Sequence, residues 1–201
     1  KTTMKDEGGA GGYTRSNWIA LTDVTFQRGN EQSHTRLLVH EIFHILTRFN
    51  PGFKKKMYEA IEFNILPKEI ELPEDIREYR ISNPDVSRWD SYATFTIDGK
   101  PQNCTMVIYA NRPYTVGKFY QYINVGLIPL DKAFKPVREN GKTVIYPLQK
   151  AADFFDKVGR NTGYVIDPEE VMADNFAIAM LNNPNVKTPG LQKKVQELLK
   201  K

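Results

Sequence analysis

The pentamer His40-Glu41-Ile42-Phe43-His44 is the segment of this chain best suited to chemistry. On a helix, residues four apart point from one face, so both imidazoles can reach a single cation. Glu41 lies about 100° round the helix from His40 at 3.6 residues per turn, beside such an ion rather than on it. A carboxylate placed there can hold a water and take its proton. A hydrolytic zinc site needs three protein ligands and one open position, so a third ligand must come from elsewhere.

Few residues can supply it. The chain has three His and one Cys. His34 falls on a different face of the same helix and is expected at the surface or toward substrate. Cys104 falls in a predicted strand, where a small buried hydrophobe is the expected role. The third ligand is therefore expected to be a carboxylate, and two regions compete. Glu59 and Glu62 sit on the next helix, without an Asp one turn later. Glu170-Val171-Met172-Ala173-Asp174 instead sets two acids on one face of an otherwise apolar helix, where they need a counter-charge. Glu170 is the expected ligand, and Asp174 the acceptor of a ligand imidazole's free N–H. Glu169 is a weaker rival, since Ala173 stands four residues on. The competing structural role for Glu170 is a capping box with Asp167 as N-cap.

His40-Glu41-x-x-His44 followed by Glu170-x-x-Ala173-Asp174 resembles the gluzincin metallopeptidases, the thermolysin-like division of the zincins. The resemblance covers the two site helices, with weaker similarity in the strand before the first. It implies zinc held by His40, His44 and Glu170, Glu41 as general base and then acid, and Asp174 behind a ligand His. It also implies a short sheet packed on the active helix, whose edge strand, placed within Tyr13 to Leu21, pairs with the substrate backbone. The gap between His44 and Glu170 is longer than in thermolysin, which leaves open the branch and the purpose of the intervening residues. An oxyanion would need a second donor besides zinc. Tyr164 is the candidate, with Tyr146 and His34 behind it.

The expected function is thus a zinc-dependent peptidase acting on a peptide or protein substrate. The alternative is a catalytically silent gluzincin-like domain used for protein binding or regulation, which would have no need of Glu41. A weaker third class is a surface-interaction domain that works through its basic helices.

The elements that must position these residues are read from patterning. With 201 residues, 40% of them hydrophobic, the chain can bury one core. A single α+β domain over 1–201 is expected, zincin-like, with a small mixed sheet packed on a buried active-site helix and further helices and β-hairpins. Residues 1–12 read as a flexible arm and 51–160 as an intervening helix and hairpin region. The helix His34 to Arg48 carries apolar residues on nearly all sides, which predicts burial within the domain. Further helices are predicted over 54–66, 149–158, Asp167 to about Asn182, and 189–201. A strand is predicted at Trp18–Leu21, a hairpin with a slightly long turn around Asp98-Gly99, and another around Glu139-Asn140-Gly141-Lys142. The stretch 66–90, rich in Pro and charge, reads as irregular.

Composition narrows the partners. The formal net charge is +4. Lys54-Lys55-Lys56 and the tail 193–201 read as solvated helix faces, so no nucleic-acid partner is expected. The longest strictly apolar run, Phe176 to Leu181, is too short for a transmembrane segment. A single Cys rules out an internal disulfide framework. The aromatic run Tyr109, Tyr114, Phe119, Tyr120 and Tyr122 is expected in the core and on a hairpin face. The first residue is Lys1, so a processed or trimmed chain is expected. A secreted or periplasmic location is a separate expectation. The oligomeric state is left open.

Overall fold

The computed structural model describes residues 10–113, 115 and 121–200. In chain order its elements are β1 (Gly12–Arg15), β2 (Trp18–Leu21), α1 (Asp23–Arg28), α2 (Glu31–Phe49), α3 (Pro51–Ala60), β3 (Asn64–Ile65) and α4 (Glu74–Arg77). There follow β4 (Ser91–Ile97), β5 (Lys100–Ala110), β6 (Ile123–Pro129), β7 (Arg138–Glu139), β8 (Lys142–Thr143), β9 (Tyr146–Pro147), α5 (Phe154–Val158), α6 (Pro168–Met180) and α7 (Pro189–Leu199). The class is α+β.

The main sheet has the order β3-β4-β5-β6-β9, and every pair in it is antiparallel. The expected mixed sheet is corrected on this point: parallel neighbours need a crossover connection, and these strands are joined without one. The β4–β5 turn is the two residues Asp98 and Gly99, at φ 48° and 76°. It is tighter than expected because β5 already begins at Lys100, and the positive φ pair matches the twist of the strands. Asn140 and Gly141 close β7–β8 in the same way, at φ 50° and 78°.

Alternation divides the sheet into two faces. Ala93, Phe95, Cys104, Met106 and Leu127 pack with Phe43, Met57, Tyr58, Phe154, Val171, Met172 and Val195 in the main core, beneath the helices. Val107 and Ile128 face the other way, against Ile70, Ile76 and Trp89 from the stretch that reads as irregular. Cys104 is a buried free thiol, as its strand position suggests. Tyr122 is buried and Tyr109 partly buried. Tyr114, Phe119 and Tyr120 lie outside the described residues.

Four local expectations are corrected. Of the expected arm 1–12, residues 1–9 lie outside the described residues, while Gly12 opens β1 and Gly11 accepts the Thr22 N–H. Helix α2 is not buried: Leu38, Ile42, Leu46 and Phe49 are 38–61% exposed along one stripe, and only Glu41, Phe43, His44 and Thr47 are buried. The helix with almost all of its residues buried is α6. The predicted helix 149–158 is broken, because the Ala152 N–H bonds Thr96 O and the Asp153 carboxylate takes the Thr96 N–H, stitching this stretch to β4. Lys54 is not solvated but buried, 2.8 Å from Asp90.

The motif helix begins and ends by side-chain chemistry. Asn30 and Ser33 form a reciprocal capping box at its start. Asn50 accepts the Phe53 N–H, so the residue that ends α2 also caps α3, with Pro51 in its first turn. Asp167 caps α6 through the Glu169 N–H, not through that of Glu170, so the competing capping-box role for Glu170 is not formed. Helices α2 and α6 lock together through the rings of Phe43 and Phe176, 5.4 Å apart.

Candidate metal centre and active site

With α2 and α6 in contact, their acidic and basic residues interlock. His40 is held between two carboxylates one turn apart on α6: its Nε2 is 3.1 Å from Glu170 Oε2 and its Nδ1 3.1 Å from Asp174 Oδ1. His44 is fully buried, with Nδ1 3.1 Å from Glu169 Oε1 and Nε2 3.7 Å from Glu170 Oε2. His40, His44 and Glu170 thus each present one ligand atom, all within 4.8 Å of one another. This buried group can hold a metal ion.

The surroundings suit such an ion. Each imidazole has a carboxylate at Nδ1, which fixes that nitrogen as the donor and directs Nε2 toward the common centre. His44 Nε2 is buried without a hydrogen-bond partner among the described residues. Two imidazole nitrogens and one carboxylate oxygen are also the donor set of hydrolytic zinc sites. Glu170 is further held by Asn83 Nδ2 at 2.6 Å. Asp174 accepts from Thr162 Oγ1 and lies 3.4 Å from Arg36.

Glu41 stands beside this group, 2% exposed, and its Oε2 has no hydrogen-bond partner among the described residues. Burial, reinforced by the charge of Asp85, pushes its pKa up to about 7. Burial alone would lower the pKa of His40, but its hydrogen bonds to Asp174 and Glu170 carry it up to about 10. Glu170 shows the converse: burial works to raise it, yet the bond from His40 and the charges of both histidines hold it below the usual carboxylate range.

These groups open into a cavity of about 550 Å³, lined by Gly11, Gly12, His40, Glu41, Asn83, Asp85, Tyr164 and Glu170 among others. Tyr164 is 47% exposed on its wall. Tyr146 instead pairs with Leu127 at the sheet edge. His34 is 2.8 Å from Thr25 O and packs on Phe26, so its ring is engaged outside the centre. Glu59 and Glu62 also lie elsewhere, Glu62 paired with Lys157 at 2.6 Å and Glu59 exposed near Lys55.

Glu169 is a supporting residue where sequence reasoning weighed it as a rival ligand. Besides His44 it accepts from Thr47 Oγ1 and, at 2.6 Å, from the Tyr58 hydroxyl. Sequence reasoning missed four further contributors: Gly12, Thr14, Asn83 and Asp85. Asp85 Oδ1 accepts both the N–H and the hydroxyl of Thr14, at 2.6 and 2.7 Å. Arg48, on α2, donates to Ser16 O and Thr14 Oγ1 and to the carbonyls of Pro84 and Asp85. One guanidinium therefore ties β1 and the 83–85 loop to the motif helix.

Gly12 sits where a side chain would displace its neighbours. A Cβ there would lie 2.8 Å from Glu41 Oε1 and 3.1 Å from Leu21 Cδ2. No protein-family model matches this chain, and no curated protein or solved structure matches it.

Proposed function

We propose that this chain is a zinc-dependent peptidase of gluzincin type, with a zincin-like fold. The observation that carries the reading is a buried carboxylate, Glu41, with an oxygen unpartnered among the described residues, beside the converging His40, His44 and Glu170. A silent binding domain would gain nothing from an unsatisfied buried carboxylate, which costs stability unless it is used.

His40, His44 and Glu170 would hold the ion, which when bound acidifies a water and polarises a carbonyl. Glu41 takes the proton of the attacking water and delivers it to the leaving nitrogen. A carboxylate whose pKa is lifted to about 7 is well matched to both transfers near neutral pH. Asp174 and Glu169 orient the two imidazoles from behind. Tyr164, on the cavity wall, is the candidate donor to the developing oxyanion.

The test is Glu41→Gln, with zinc content and casein hydrolysis measured together. The variant should keep its metal and lose roughly 10²- to 10⁴-fold in rate, the usual contribution of a positioned general base. Unchanged hydrolysis with the metal retained would overturn the reading.

A further inference from the structure

The hairpin register shows where a peptide would have to stop. Arg15 and Trp18 flank the two-residue turn and form the closing hydrogen-bonded pair of β1 and β2. Alternation then turns the Tyr13 backbone toward β2 and those of Gly12 and Thr14 away from it. The bond between Thr22 N and Gly11 O fits the same register. The outward groups of Gly12 face the cavity beside Glu41, while the outward N–H of Thr14 is already taken by Asp85. The open edge of β1 is thus closed one step past the candidate metal centre, and the residue that closes it is an acid.

Asp85 is placed to do more than plug the strand. Both bonds from Thr14 fall on Oδ1, and Oδ2 has no hydrogen bond among the described residues. A carboxylate oxygen of Asp85 lies within 4.8 Å of His44 and of Glu41. Arg48 bonds the carbonyl of Asp85, not its carboxylate. Two buried acids, Asp85 and Glu41, therefore share this end of the cavity. Among the described residues neither carboxylate pairs with a Lys or Arg, and the positive charges that act on them are those of the candidate ligand imidazoles. Leu37, Ile81, Ile108, Ile123 and Ile166 give the wall an apolar part, beside the polar Ser33, Arg36, Ser82 and Asp174.

We propose that Asp85 binds the free α-ammonium of the substrate, so that the enzyme removes single residues from peptide N-termini and prefers apolar ones. This rests on the peptidase reading. A peptide laid antiparallel on β1 runs its N-terminal direction from Gly12 toward Thr14. Its chain must therefore end where Asp85 occupies the edge. A carboxylate attracts an ammonium there and repels a peptide C-terminus.

The experiment uses the full chain loaded with zinc and three probes: leucine hydroxamate, N-acetyl-leucine hydroxamate and N-acetyl-lysinamide. Binding is read by calorimetry. The free-amine leucine probe should bind at least about tenfold more tightly than its acetylated form, as expected for a hydrogen bond between charged groups. Asp85→Asn should bring the two within about twofold while zinc content stays unchanged. Equal binding of the two leucine probes to the unaltered protein overturns the assignment, and needs no variant to fold. Binding of N-acetyl-lysinamide as tight as that of the free leucine probe overturns it too, since the cation would then belong to a side chain. A protein that holds no zinc defeats the peptidase reading itself; one that holds zinc and cleaves acetylated peptides internally defeats only the Asp85 assignment.

Discussion

Glu169 stands directly behind His44, its Oε1 3.1 Å from Nδ1, while Glu170, the next residue, has Oε2 3.7 Å from Nε2 of the same ring. Two consecutive carboxylates on α6 thus face the two nitrogens of one imidazole. The arrangement needs the first turn of α6 to be buried against α2, and both acids are 2% exposed. It also places two negative charges at a helix N-terminus, where the dipole favours them. Thr47 donates to the same Oε1 and Tyr58 to Oε2, so the Glu169 carboxylate has little freedom.

Glu169→Gln should therefore weaken zinc binding about 10- to 100-fold, the usual effect of removing a partner of a ligand histidine. A competition titration against a chromophoric chelator measures it. Unaltered affinity would show that the bond to His44 does not tune the ligand.

Glu170→Ala should abolish stoichiometric zinc, whereas Glu62→Ala should leave it in place. Glu62 is at the surface, engaged with Lys157. Metal analysis of the two purified variants decides between them, and loss of zinc in the second alone would move the third ligand to α3's end.

Gly12→Ala should damage the site more than the fold. The added methyl meets the tip of the Glu41 side chain, which can swing aside, rather than fixed backbone. The carboxylate would leave its place beside the histidines, with an expected loss of about 100-fold in kcat, since small misplacements of catalytic groups carry costs of that order. Unfolding by urea should change far less. A variant with unchanged kcat would show that Glu41 does not depend on that close approach.

Without metal, stability should fall as pH rises. His40 titrates at about 10 in the folded chain against an ordinary value of 6.5. The folded state therefore holds the proton more tightly, so this stabilisation is complete below pH 6.5 and vanishes as pH climbs toward 10. Glu41, raised from 4.5 to about 7, acts in the same direction between those two values. Calorimetric scans of the metal-free protein should show the midpoint dropping between pH 6.5 and 10. Zinc binding near neutral pH should release a proton, visible as a dependence of the binding enthalpy on the buffer. A midpoint that climbs over the same interval would contradict the His40 environment.

The two motif helices were legible because helical spacing, caps and acid placement are local properties. Asn30 and Asp167 announce helix starts by their own side-chain chemistry, and Asp98-Gly99 and Asn140-Gly141 announce turns by their tolerance of positive φ. Asn83-Pro84-Asp85 was not legible, because the same residues compose an ordinary surface turn. What gives Asn83 its part is Glu170, and what gives Asp85 its part is Thr14, both far away along the chain. The exposure of α2 was misread for a related reason. Leu38, Ile42, Leu46 and Phe49 record that the helix has an apolar stripe, but not whether anything packs upon it.

Asn83 and Asp85 belong to the long stretch between the two halves of the motif, yet both border the cleft. That stretch is therefore no ornament. Excising it to splice α3 straight onto α6 would spare every ligand and still strip Glu170 of its amide clasp and the hairpin of its anchor. The smallest working version of this protein must keep the detour.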